Sequence, residues 1–192
     1  MSGVEPGPDG KPRCPWALSA PELIDYHDHE WGRPVHGENE LFERFTLDAF
    51  QSGLSWLTIL RKRENFRRAF DGFDIEKVAR YGATERKRLL ADAGIVRNRR
   101  KIEAAITNAA AARELHATGT SLDELIWSFT PEPEMRPAPK ALADLEPTTA
   151  ESMAMAKELK RRGFVFVGPT TAYATMQAIG MVNDHLAACA FR

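Results

Sequence analysis

Cysteine is nearly absent from this sequence: only Cys14 and Cys189 occur in 192 residues. A framework of disulfides, as in small secreted domains, is therefore excluded. No apolar run approaches the ~18 residues a membrane span needs, and no charged-then-apolar leader opens the chain. These absences set the expectation of a cytoplasmic protein with no membrane partner. Sustained alternation of apolar and polar residues is also missing, which argues against an extensive sheet. Net charge is close to nil at −1, and taken whole it argues against a polyanionic partner. What is present is 43% hydrophobic residues, enough in 192 to bury a substantial core.

The distribution of charge reverses the impression left by its sum. Between Arg61 and Lys101 lie 14 basic and 6 acidic residues, a local surplus of +8. Arg61-Lys62-Arg63, Arg67-Arg68, Arg86-Lys87-Arg88 and the run from Arg97 to Lys101 make up most of it. One such cluster is ordinarily a solvated helix face, but several in close succession suit a nucleic-acid surface.

Helical periodicity dominates and predicts an all-α chain. Apolar stripes with caps or glycine stops mark helices over about 38–50, 56–70, 75–81, 84–93, 98–115, 122–129, 150–162, 171–179 and 184–190. Ser121 and Glu124 have the spacing of a capping box. Phe164-Val165-Phe166-Val167 reads either as a short strand or as an extended connector. Residues 1–12, rich in Gly and Pro, are expected to be a disordered tail. The four prolines from Pro131 to Pro139 mark a loop, and residues 13–192 are expected to form one domain.

Each cysteine lies near a histidine, Cys14 with His27 and His185 with Cys189. Read as a Cys2His2 set, they would place tetrahedral zinc between the two ends of the chain. Read separately, they are buried apolar cysteines with histidines nearby by chance. On the expected C-terminal helix His185 and Cys189, four positions apart, would share a face. A metal there would brace the aromatic segment carrying Trp16, Tyr26 and Trp31.

Gly94-Ile95-Val96-Arg97 reads as a tight turn between two helices, the second starting within a basic cluster. A helix N-terminus offers unpaired N–H groups and the positive end of a dipole, a natural seat for phosphate. Gly94, Arg97, Arg99 and Lys101 are the candidate contacts to a DNA backbone.

Taken together, Cys14-Pro-Trp16, Tyr26-His-Asp-His-Glu-Trp31-Gly, Phe50-Gln-Ser-Gly-Leu-Ser-Trp56, Lys62-Arg-Glu-Asn65, Asp92-Ala-Gly-Ile-Val-Arg97, Trp127-Ser-Phe, Arg162-Gly-Phe-Val-Phe-Val-Gly168 and Val182-Asn-Asp-His185 resemble the DNA-3-methyladenine glycosylase I family. That family belongs to the helix-hairpin-helix base-excision superfamily. The resemblance runs from residue 14 to the end. It implies a helix-hairpin-helix glycosylase fold, with one structural zinc held by Cys14, His27, His185 and Cys189 joining the terminal segments, and His29 outside the ligand set. Four protein ligands leave no position for an activated water, which excludes a zinc hydrolase built on His27, Asp28, His29 or Glu30.

The implied activity is hydrolysis of the N-glycosidic bond of 3-methyladenine in double-stranded DNA, leaving an abasic site, by a monomer. N3-alkylation makes the base cationic, so recognition outweighs leaving-group protonation. Tyr26 and Trp56 are then expected to stack on the base, with Trp16 and Trp31 as pocket wall, through cation–π attraction of ~2 kcal/mol when desolvated. The loop Gln51–Leu54 is expected to enter the gap left by the flipped base, Gly53 allowing close approach and Leu54 or Gln51 filling the void. Most helix-hairpin-helix glycosylases carry an aspartate beyond the hairpin. This family lacks it, and Asn108 and alanines stand there. The family's base-reading glutamate is here Asp48, one methylene shorter and the expected catalytic carboxylate, with Glu43 as a substitute further back. The rival reading is a non-enzymatic, zinc-stapled binder of alkylated DNA.

Overall fold

The computed structural model describes residues 3–132 and 136–192. Among the described residues the regular structure is nine α-helices and one two-stranded ribbon. The ribbon pairs β1 (Glu5–Pro6) with β2 (Pro12–Arg13). The helices are α1 (Pro21–His29), α2 (Glu38–Gln51), α3 (Trp56–Ala69), α4 (Ile75–Val78), α5 (Ala83–Ala91), α6 (Arg99–Ala117), α7 (Leu122–Trp127), α8 (Ala150–Arg161) and α9 (Pro169–Ala178). None is long and apolar enough to cross a membrane.

The amphipathic stripe of α2 explains its place at the centre. Leu41, Phe42, Phe45, Leu47, Ala49 and Phe50 are all buried, and the helix packs on α3, α6, α7 and α9. Phe42, Phe50, Phe66, Phe70 and Phe73 meet edge to face or stacked around it. Each fully buried ring of this kind contributes ~2–3 kcal/mol from apolar transfer. Side-chain caps start the surrounding helices: Ser55 accepts from the Thr58 N–H, Asn98 from Lys101 and Ser121 from Glu124, each cap contributing about 1 kcal/mol. The capping box read at Ser121–Glu124 is formed.

Three expectations need correction. Residues 3–12 are not a disordered tail. They form the ribbon, pinned by Gly3 N–H on Lys140 O (3.1 Å) and Ala190 N–H on Pro12 O (2.9 Å). The helix expected over 184–190 is absent, because its amides are claimed elsewhere. Ala187 N–H donates to Pro139 O at 2.7 Å and His185 N–H to the Asn183 side chain at 3.2 Å. Helix α1 was not anticipated, although Pro21 at its first position and Glu22 behind it are ordinary start signals. Of the proline-rich loop, residues 133–135 lie outside the described residues.

The run 164–167 is a connector bent at Phe166 (φ +59°), with no strand partner among the described residues. Asn108, buried in α6, takes the place of one. Its Oδ1 accepts from Val165 N–H at 2.8 Å and its Nδ2 donates to Val165 O at 3.1 Å. The residue at the position of interest beyond the hairpin is thus structural, fixing the lead into α9.

Candidate active site and metal centre

The four Cys and His residues converge even though the C-terminal helix is missing. Their ligand atoms all lie within 4.8 Å of one another, and all four residues are buried. His27 Nε2 is 3.1 Å from His185 Nδ1, and Cys189 Sγ is 3.6 Å from the first and 3.5 Å from the second. A tetrahedral ion with nitrogen ligands at ~2.0–2.1 Å and thiolates at ~2.3 Å has edges of ~3.3 Å between nitrogens and ~3.6 Å between nitrogen and sulfur. Donor set and spacing therefore fit one four-coordinate metal ion.

The atoms behind the ligands fix their orientation. His27 Nδ1 donates to Asp28 Oδ1 at 2.8 Å, and His185 Nε2 donates to Trp31 O at 3.1 Å. Each ring thereby turns its remaining lone pair toward the centre. Asp28 is itself held by Arg13 through Nε (3.0 Å) and Nη2 (2.7 Å). Burial pushes the Cys14 thiol up to about 12 and the His185 imidazole down to about 4. A bound dication reverses the first preference and releases protons as the thiols ionise. His29 stands apart, exposed and paired with Asp25 at 3.0 Å.

The cluster braces an aromatic cavity. Trp16 meets His27 at 5.3 Å between ring centroids, Trp31 meets His185 at 4.7 Å, and the two indoles meet each other at 5.0 Å. Tyr26 and Trp56 approach at 5.2 Å and 52°. All four rings, together with Asp48 and Gln51, line one cavity of about 270 Å³. Every aromatic singled out in the sequence is thus brought to one place.

Asp48 sits at the buried end of α2. Its one side-chain partner among the described residues is Thr175, whose hydroxyl donates to Oδ2 at 2.7 Å. Burial raises the carboxyl to about 7, against the smaller lowering effects of Thr175 and the Arg44 charge. The Trp56 indole N–H is buried with no partner among the described residues. Glu43 is outside the cavity. Burial raises its pKa, but hydrogen bonds from Arg67 and Arg63 outweigh this and hold the carboxyl below its usual range.

Sequence reasoning missed the opposite wall. Helix α9 contributes Ala174, Gln177 and Ala178, and Leu145 closes the side. The available signal was Gln177, a long polar side chain on a helix without charged residues.

The turn 92–98 between α5 and α6 is held from behind by α3. Lys62 Nζ donates to Ala93 O at 3.0 Å and Asn65 Nδ2 to Gly94 O at 3.3 Å, which accounts for the Lys62-Arg-Glu-Asn65 stretch. A Cβ at Gly94 would lie 2.9 Å from Asp92 Oδ1 and 3.1 Å from Asn65. Arg97 and Arg99 are exposed, and neither forms an ion pair among the described residues. Lys101 departs from expectation. It is 7% exposed, and its ammonium turns inward to Phe50 O (2.8 Å) and Ser52 O (2.5 Å) instead of outward to a phosphate. Much of the basic surplus is likewise spoken for: Arg61 pairs with Glu22, Arg63 with Glu30 and Glu43, and Arg86 with Glu103.

The loop that Lys101 grips carries Gln51, Gly53 and Leu54. Gly53 has φ +78° with open space around it, and Leu54 is 40% exposed at the tip. An apolar side chain is thus exposed three residues beyond the cavity-lining Gln51, on a turn that glycine permits.

Comparison with known proteins agrees with this geometry. The family described as methyladenine glycosylase matches residues 16–192. The chain is 44% identical over 177 residues to DNA-3-methyladenine glycosylase 1 of Escherichia coli strain K12, a match covering 92% of this chain and 95% of the relative. A crystal structure of 3-methyladenine DNA glycosylase I superposes with TM-score 0.87 at 42% identity, over 93% of this chain and 98% of that one. A variant of 3-methyladenine DNA glycosylase I in complex with 3-methyladenine superposes with TM-score 0.85 at 31% identity, over 93% and 96% of the two chains. With cavity, cluster and chain-long similarity in agreement, the protein belongs to the methyladenine glycosylase family.

Proposed function

We propose that this chain is a DNA-repair glycosylase that flips 3-methyladenine out of alkylated duplex DNA and hydrolyses its N-glycosidic bond, leaving an abasic site. The observation that carries the reading is the cavity of four aromatic rings closed by the buried carboxyl of Asp48. Electron-rich faces and a carboxylate attract a ring bearing a fixed positive charge, and normal neutral bases lack that charge. A carboxyl poised at about 7 gives up its proton readily when such a cation enters.

The departing base already carries the charge that weakens its bond, so the pocket needs no strong acid. No lysine lines the cavity among the described residues, and water is the nucleophile. Flipping costs a few kcal/mol, least at a damaged pair. Leu54, with Gln51 behind it, fills the gap in the stack. The α5–turn–α6 unit acts as the helix-hairpin-helix, presenting Gly94, Arg97, Arg99 and the first amides of α6 to one phosphate backbone. The turn's Ala93 and Gly94 carbonyls are already satisfied by Lys62 and Asn65.

The four-ligand cluster holds one structural zinc, its imidazoles oriented by Asp28 and the Trp31 carbonyl and its thiols ionised by the metal. Its role is to fix Trp16 and Trp31. Residues 13–192 act as one glycosylase domain, in the cytoplasm and as a monomer. The decisive experiment incubates metal-quantified protein with methylated duplex DNA and separates the released bases. Free 3-methyladenine with matching abasic sites is the expected result. Tight binding without release would favour a non-enzymatic binder.

A further inference from the structure

Gln177 is another polar residue of the cavity, and its amide can present only one of its ends. Nε2 donates to Asp184 Oδ2 at 2.8 Å. Asp184 is 2% exposed and also receives Arg136 Nη2 at 2.7 Å and the Tyr173 hydroxyl at 2.5 Å. Both of its oxygens already accept, Oδ1 from Arg136 and Oδ2 from Tyr173, so Asp184 meets Gln177 as an acceptor and the amide cannot turn its own oxygen that way. Among the described residues Gln177 Oε1 has no hydrogen-bond partner, and the residue lines the base cavity.

From this geometry we infer that Gln177, locked by Asp184, is a specificity-determining residue that selects 6-amino over 6-oxo purines. The inference rests on the glycosylase reading above and adds a ranking within it. A 6-amino group offers two N–H donors, which the Asp48 carboxylate and Gln177 Oε1 can accept. A 3-methylguanine carries the same ring charge but presents O6. Beside Gln177 Oε1, which has no hydrogen to offer, that oxygen would be desolvated without a partner, a mismatch that lowers excision by at least about 10-fold. The aromatic rings do not supply this distinction, since both bases offer them a cationic face. Asp184 touches no base and acts as a positioning residue.

The test measures 3-methyladenine and 3-methylguanine released from one preparation of methylated DNA by wild type, Gln177→Met and Asp184→Asn, with bound metal and Tm recorded for each. Met keeps the length of Gln and removes the acceptor. The ratio of adenine to guanine product is expected to fall about 10-fold, mainly through slower adenine release. Asn at 184 keeps Oδ1 for Arg136 but puts an NH2 where Gln177 donated, so the amide reverses and offers N–H groups to the cavity. This variant is expected to gain in 3-methylguanine release, which loss of packing alone cannot produce. Wild-type product ratios in both metal-loaded, folded variants would overturn the inference while leaving the glycosylase reading intact. Absence of 3-methyladenine release from wild type would instead remove the reading itself. Should Gln177→Met not fold, the direction of change in Asp184→Asn decides alone.

Discussion

Two buried aspartates, Asp28 behind the metal cluster and Asp48 in the base cavity, live under opposite regimes. Asp28 is surrounded by donors: Arg13 grips it through two nitrogens and His27 adds a third bond. Burial raises its pKa, yet hydrogen bonds from Arg13 and His27 outweigh that and hold the carboxyl below its usual range. Among the described residues Asp48 has a single hydroxyl partner and no ion pair, and burial wins. The contrast extends to their neighbours. Around the cluster both histidine rings have a second partner, whereas the cavity leaves the Trp56 N–H and Gln177 Oε1 unanswered. A protein that satisfies its polar groups at one end and leaves them open at the other is organised to hold itself at the first and a ligand at the second.

The largest effect expected from breaking this contrast is at Asp48. Asp48→Asn keeps shape and the Thr175 hydrogen bond but removes the charge. Release of 3-methyladenine should fall about 100-fold, the scale of losing a charged hydrogen bond in a buried site. Wild-type activity on the same substrate would refute a role for the carboxylate. Stability should move the other way. The folded carboxyl keeps its proton up to about 7, while an unfolded one releases it near 3.8. Between these values the folded state binds more protons, so wild-type stability declines as pH rises through the window. The amide does not titrate. The Asn variant should therefore match wild type near pH 4 and exceed it by about 5 °C in Tm at pH 8. Thermal melts across that range give the answer, and a constant difference would contradict the raised carboxyl.

At the other end, removing the metal should unsettle what the satisfied groups maintain. Chelation or Cys14→Ser is expected to lower Tm by about 10 °C. It should also broaden tryptophan signals, since Trp16 and Trp31 rest on His27 and His185. Asp28→Asn, with the ligands intact, should weaken metal affinity by about 10-fold. Competition with a zinc-binding dye measures it. Unchanged melting after complete chelation would mean that the cluster is only a set of buried side chains.

How much of this the sequence discloses depends on the range over which each feature is determined. Helix α2 was legible because its apolar stripe and acidic first turn are local. The ligand set was legible because few Cys and His residues were available to choose from. The C-terminal segment was misread because Pro12 and Pro139 supply its hydrogen-bond partners from distant parts of the chain, and no periodicity encodes that. Lys101 was misassigned for the same reason. A lysine in a basic run looks exposed until the carbonyls of Phe50 and Ser52 are found beneath it. Gln177 drew no notice, because its meaning comes from Asp184 and from Arg136, 48 residues away from that carboxylate in sequence.

The buried Lys101 and the exposed Arg99, two residues apart on α6, give the smallest and sharpest separation. Arg99→Ala removes a charge that would face the DNA backbone, so affinity should fall alike for alkylated and plain duplex, and the slope of log K against log salt should shrink by about 1. Lys101→Met removes no outward charge. It releases the two carbonyls that hold the turn bearing Gly53 and Leu54, leaving the loop less fixed but the helix in place. Its salt slope should equal that of wild type, while the rate of base release should drop about 5-fold, a loss of ~1 kcal/mol in positioning. If Lys101→Met instead flattens the salt dependence as Arg99→Ala does, the ammonium reaches phosphate in the complex and the loop is held by something else.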